Sequence, residues 1–144
     1  MPIQVPVTDA CPFCDYLAGR RPYTVLRRND VTATLVTREQ RGLSHVLVVP
    51  VAHRETVLDL TDEEACALAL DVRAAAAAIE RVEAAAGTAI WQNNGVPAHQ
   101  TVPHVHVHVA ATLPGGGTEW GRVPHLDLAE TDAIGARLRP YLPG

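Results

Sequence analysis

The segment His104-Val105-His106-Val107-His108-Val109 alternates imidazole with valine at every position. Valine is β-branched and favours extended backbone, and successive side chains of a strand point to opposite faces. The alternation therefore predicts a strand over 104–109 whose one face is three valines, suited to a core. The other face carries three histidines, spaced roughly 6.5–7 Å from one to the next. Each imidazole has ring nitrogens that need partners if buried, so these positions point to a site rather than to plain packing. His104 and His108 would lie about 13 Å apart on an extended strand, whereas zinc holds nitrogen at about 2.0–2.1 Å. A single ion bound by all three is geometrically poor. Division of labour among ligation, nucleophilic attack and proton transfer is the expectation.

A length of 144 residues suits one domain able to bury its own core, with 1–10 a loose leader and 112–144 a C-terminal extension. A hydrophobic fraction of 47% with 19% charged residues is ordinary for a soluble protein. The formal net charge of −4, with no Lys/Arg run, argues against a polymeric nucleic-acid partner and leaves small phosphorylated ligands open. No apolar run reaches membrane-spanning length, and Met1-Pro2-Ile3-Gln4 lacks a basic region followed by an apolar core. A cytoplasmic protein without a membrane partner is expected. Cys11-Pro12-Phe13-Cys14 holds two of the three cysteines and suggests a metal or redox pair more than a disulfide framework.

Working outward, Cys11–Gly19 reads as a turn and short helix ending at glycine. Tyr23–Arg28 and Val31–Thr37 read as a hairpin joined by Asn29-Asp30, residues that tolerate positive φ. His45–Val49 is a third strand, stopped by Pro50. One helical turn is expected near Glu55–Leu58. Thr61 and Glu64 form a capping box that opens a long helix over Asp62–Ala86, closed by Gly87. Leu68, Val72 and Ile79 mark its buried face, with Cys66 expected as a small core residue. Thr88–Gln92 is a fourth strand, 93–100 a loop, and Leu128–Leu138 a final helix capped near Asp127 or Thr131. The order predicts an α+β fold with a largely antiparallel sheet of about five strands, one long helix and a short C-terminal helix.

Asn93-Asn94-Gly95, Gln100-Thr101-Val102 and the run from His104 to Ala110 together closely resemble the signature of the histidine-triad (HIT) nucleotide hydrolases and transferases. His45-Val46-Leu47-Val48-Val49-Pro50 followed by His53 resembles that family's upstream strand, so the likeness runs from about Cys11 to Ala110. The resemblance implies a HIT-like fold and a hydrolase acting on a purine nucleotide joined to a leaving group through phosphorus. His106 would be the nucleophile and would form a covalent nucleotidyl-histidine. His108 and His45 would contact phosphate oxygens or tune protonation, beside His104. Asn93, Thr101 and the amides around Gln100 would supply neutral donors to the phosphate. Leu35 matches a position that lines the base pocket.

The resemblance further implies a structural zinc ion on Cys11, Cys14, His53 and His104, as in the family's zinc-containing branch. It implies a homodimer through the long helix and the Thr88–Gln92 strand. Glu119-Trp120-Gly121 is placed by the same likeness near a partner's site. Two positions depart from the pattern. Thr37 stands where an acidic residue often holds the ribose hydroxyls, with Glu39 nearby but shifted. His99 stands where glycine usually precedes the glutamine; it could crowd the phosphate loop, assist the leaving group or face solvent. His125 receives no role and is expected to be exposed. The leaving group (amine, second nucleotide or sulfate) stays open. Two other classes stay in play: a non-catalytic nucleotide sensor or scaffold of this fold, and a metallohydrolase using the strand histidines around a catalytic ion.

Overall fold

β1 (Val25–Arg28), β2 (Thr32–Val36), β3 (Leu43–Pro50), β4 (Thr88–Trp91) and β5 (Val107–Ala111) pair antiparallel in the order β1-β2-β3-β5-β4. The structure, a computed structural model, describes residues 2–144. Among the described residues three α-helices complete the α+β architecture that the sequence predicts: α1 (Pro12–Leu17), α2 (Asp62–Glu83) and α3 (Leu128–Leu138).

Both faces of the sheet are covered, by different means. On one face α2 and α3 pack Leu68, Ile79 and Leu138 onto Val36, Val46, Val48 and Val109. The opposite face carries Ala33, Leu35, Leu47 and Val49 under Phe13 and Leu17 of α1. Val105 and Val109 point to the helix-covered side, as the alternation requires, and the histidines of 104–108 are left to the other.

Helix ends follow their caps. Thr61 Oγ1 accepts from the Glu64 N–H at 3.1 Å and the Glu64 carboxylate accepts from the Thr61 N–H at 2.8 Å. Asp127 and Glu130 repeat the arrangement on α3 at 2.8 and 3.2 Å.

Four local expectations need correction. β5 begins at Val107, so His104 and His106 precede the strand. Their backbone is engaged elsewhere: Val105 N–H donates to Arg54 O at 2.7 Å and His104 N–H to Val102 O at 2.8 Å. α2 stops at Glu83, with Ala84 in the left-handed region at φ 49°, and not at Gly87. Gly87 instead meets Thr112 closely, its carbonyl accepting from Thr112 N–H at 3.0 Å; a Cβ there would stand 3.2 Å from Thr112 Cγ2. Cys66 is exposed, because it lies two residues, roughly 200° of helical turn, from buried Leu68. The Asn29-Asp30 turn forms without positive φ; the Asn29 side chain accepts from the N–H groups of Val31 and Thr32, both at 2.8 Å.

Candidate active site

Backbone geometry decides which nitrogen each histidine can offer. His106 Nδ1 lies 2.8 Å from His104 O. A carbonyl only accepts, so Nδ1 carries the proton and Nε2 keeps its lone pair. Phe13 of α1 packs 5.1 Å from this ring, centroid to centroid, and fixes its plane. Burial lowers the His106 pKa, opposed by the bond to His104 O, and keeps the ring neutral at pH 7.

A second chain of assignments runs through β3. A bulge between Leu43 and Val46, with Ser44 at φ 51°, turns His45 toward β5. Gln40 pins this bend, donating to Thr37 O and His45 O and accepting from His45 N–H. Arg41 N–H donates to His45 Nδ1 at 3.1 Å, which places the remaining His45 proton on Nε2. His45 Nε2–H then donates to His108 Nδ1 at 3.0 Å, and His108 must present Nε2–H. Trp91, opposite His108 on β4, stacks on it at 4.6 Å with planes 4° apart. Burial first, then the Arg41 charge, depresses His45 to about 3. Burial, then His106 and His45, depresses His108 to about 2. Both rings are neutral at pH 7.

His106 and His108 open into a pocket of about 330 Å³. Phe13, Tyr16, Tyr23 and Leu47 form its apolar wall, and Thr37, Arg38 and Glu39 form a polar edge. Tyr16 and Tyr23 stack at 3.9 Å, with Arg38 over the Tyr23 ring at 5.3 Å. The arrangement suits a flat apolar group at one end and an electrophile at the other, facing a lone pair and an N–H donor.

Cys11, Cys14, His53 and His104 form a separate cluster whose donor atoms all lie within 4.8 Å of one another. These four residues could hold a metal ion. His104 Nε2–H donates to Pro50 O at 2.8 Å, which frees Nδ1 as a lone pair 3.3 Å from Cys11 Sγ and 3.6 Å from Cys14 Sγ. His53 Nδ1 lies 3.4 Å from Cys14 Sγ. A tetrahedral zinc with the usual bond lengths has sulfur–nitrogen edges of about 3.6 Å, so the donor set fits. Burial, then the neighbouring Cys11 thiol, pushes Cys14 up to about 11, so two thiolates side by side call for a cation.

The other sequence-based candidates divide. Thr101 lines the pocket. Thr37 lines it too, and its hydroxyl oxygen accepts from Glu39 N–H at 3.2 Å. Asn93 and Gln100 shape the loop. Asn93 Nδ2 donates to Ala98 O at 2.5 Å, while the Gln100 amide accepts from Gly95 N–H and donates to Glu55 O and Val102 O. His99 is exposed, in the left-handed region at φ 67°, a conformation glycine adopts without cost. Leu35 is fully buried in the layer under α1, and Leu47 on the neighbouring strand takes its expected place in the pocket wall. His104 has one nitrogen at the thiol cluster and the other on Pro50 O, and is absent from the pocket wall.

Phe13, Tyr23, Arg41, Trp91 and His125 reach the site without having been singled out for it. Only their separation in sequence concealed them; an aromatic residue inside the Cys11–Cys14 motif and one at the end of β4 were the available signals.

Residues 19–114 match the family model described as HIT domain. An uncharacterized HIT-like protein of Methanocaldococcus jannaschii is 30% identical over 122 residues, covering 83% of this chain and 94% of that protein. The adenosine 5′-monophosphoramidase of Schizosaccharomyces pombe is 30% identical over 115 residues, covering 78% of this chain and 79% of that enzyme. A solved structure of a Zn-bound histidine triad family protein from Mycobacterium smegmatis aligns with a TM-score of 0.79 at 25% identity, over 92% of each chain. Fold, site geometry and these likenesses agree, and the chain belongs to the HIT family.

Proposed function

We propose that this protein is a hydrolase that transfers a nucleoside monophosphate from a phosphorus-linked leaving group, first to His106 and then to water. The observation that carries the reading is the His106 ring itself: Nδ1–H is held by His104 O at 2.8 Å, which leaves Nε2 as a neutral nucleophile at the pocket floor. Its lone pair attacks the α-phosphorus, the new N–P bond forms as the bond to the leaving group breaks, and the leaving group departs with the bonding electrons and takes a proton from solvent, which the attacking water of the second step returns. Water then attacks the same phosphorus, the N–P bond breaks, and His106 regains its lone pair. His108 Nε2–H and the Thr101 hydroxyl face the developing phosphoryl charge as neutral donors. The flat base lies along Phe13, Tyr16 and Tyr23.

Phosphoramidates are the preferred substrate class, because the phosphoramidase of fission yeast aligns over most of both chains. Zinc is the proposed ion for Cys11, Cys14, His53 and His104, in a structural role, since four protein ligands leave no open position for water. It would tie the start of α1 to the backbone just before the nucleophile. A two-fold dimer is proposed as well: β4 is a sheet edge, and Ile90 on it and Leu70 on α2 are 53% and 56% exposed.

Rapid quench into alkaline denaturant, with adenosine 5′-phosphoramidate radiolabelled in its adenylyl part, tests the reading. An acid-labile adenylyl adduct is expected on the wild-type chain and none on His106→Ala. An adduct on His106→Ala, or none on the wild type in a single turnover, contradicts it and favours a nucleotide-binding sensor.

A further inference from the structure

After β5 the chain makes a tight turn, in which Leu113 N–H donates to Gly117 O at 3.0 Å, and comes back along the β2–β3 connection. Glu119 N–H donates to Arg41 O at 2.7 Å, and Arg41 Nη1 donates to Gly121 O at 2.6 Å. Farther on, Leu126 N–H donates to Arg38 O at 2.9 Å. Asp127 then caps α3, which docks on the opposite face of the sheet. Residues 119–126 thus form a strap fastened near both ends to the loop that carries Arg38 and Arg41. His125 sits one residue before the second fastening and two before the helix cap, so its backbone is held. Exposed at the surface, His125 is one of the residues lining the pocket that contains His106 and His108. It lies outside the matched 19–114 region.

We infer that His125 is a substrate-binding residue, reading the sugar hydroxyls of the bound nucleotide in the pocket it shares with Thr37. The inference rests on the nucleotide reading of the pocket. Phosphorus must sit at His106, and the aromatic wall takes the flat base. What joins base to phosphate is a sugar with vicinal hydroxyls, and the part of the lining left to meet it is the polar edge of Thr37, Arg38, Glu39 and His125, of which Arg38 is engaged with Pro22 O and the Tyr23 ring. The Glu39 carboxylate is already drawn toward Arg41, 3.9 Å away, and is mostly exposed. The Thr37 oxygen already accepts from Glu39 N–H. An imidazole carries two ring nitrogens, one for each hydroxyl of a diol.

Titration calorimetry with AMP and 2′,3′-dideoxy-AMP tests this on the full chain. The wild type is expected to bind AMP at least about tenfold more tightly than the dideoxy analogue, the worth of one or two well-made hydrogen bonds. His125→Ala should weaken AMP about tenfold and leave dideoxy-AMP within about twofold, with an unchanged melting temperature. His125→Gln, which keeps a donor and an acceptor, should recover part of the loss. AMP affinity unchanged in His125→Ala, or equal weakening of both ligands, overturns the inference. So does a wild type that binds neither ligand. Because the readout is binding alone, a chain that keeps the AMP preference yet forms no adduct on His106 would refute the proposed chemistry and spare His125.

Discussion

His104 and His106 are two residues apart, and each gives one N–H to a backbone carbonyl at 2.8 Å, yet they offer opposite nitrogens. His104 bonds through Nε2 to Pro50 O and turns Nδ1 to the thiols. His106 bonds through Nδ1 to His104 O and turns Nε2 to the pocket. The same side chain offers its lone pair to the thiols or to the pocket according to which carbonyl lies within reach. Imidazole chemistry here is set by main-chain acceptors, and the valines between the histidines hold that main chain against the helices.

The sharpest way to break the comparison is to remove the free nitrogen from each side. His106→Ala should reduce turnover of the phosphoramidate by about 10⁴-fold or more and leave the melting temperature within a few degrees. Stripping the cluster should do the reverse. With free zinc at a thousandfold excess over its Kd, the bound ion contributes about 4 kcal/mol, lost on chelation or in Cys14→Ala. Denaturant unfolding measures that loss, and adduct formation on His106 should persist in the cold, where the fold still holds. A cluster whose removal abolished the adduct while the fold stayed intact would make the ion catalytic.

Smaller effects sharpen the account along the second chain of tautomers. His108→Ala removes the N–H donor facing the phosphoryl group and should cost about 10²-fold in kcat. His45→Ala leaves His108 in place without its fixed tautomer and should cost about tenfold, read from steady-state kinetics. Acid stability is the mildest effect. In the fold His45 and His108 titrate near 3 and 2 because they are buried, whereas an unfolded imidazole titrates near 6.5. Between those values the unfolded chain binds more protons, so stability is full above about pH 6.5 and falls as pH drops below it. Each ring should account for about 1.4 kcal/mol per pH unit once well below 6.5, and His108→Asn should unfold with a visibly shallower slope.

Much of this was legible in the sequence because it rests on local rules. Alternation gave the two faces around Val105 and Val109, a capping box gave the start of α2, the start of α3 was narrowed to a cap at Asp127 or Thr131, and the spacing of Cys11 and Cys14 pointed to a metal or redox pair. What escaped depended on tertiary neighbours. Nothing near His104 says that Arg54 O will take the Val105 amide and delay the strand to Val107. Nothing near Gly87 says that Thr112 will approach it, or that Ala84 will take the left-handed closing position three residues earlier. The Trp91 stack on His108 and the arrival of His125 at the pocket arise from chain segments far apart in sequence, joined only by the fold.

The central claim is that backbone carbonyls assign the protons of the histidine run, and nitrogen-15 NMR of ring-labelled histidines reads it directly. At pH 7 the account predicts a neutral His106 protonated on Nδ1 beside a neutral His108 protonated on Nε2. An imidazolium at His106, or a His106 protonated on Nε2, would contradict it.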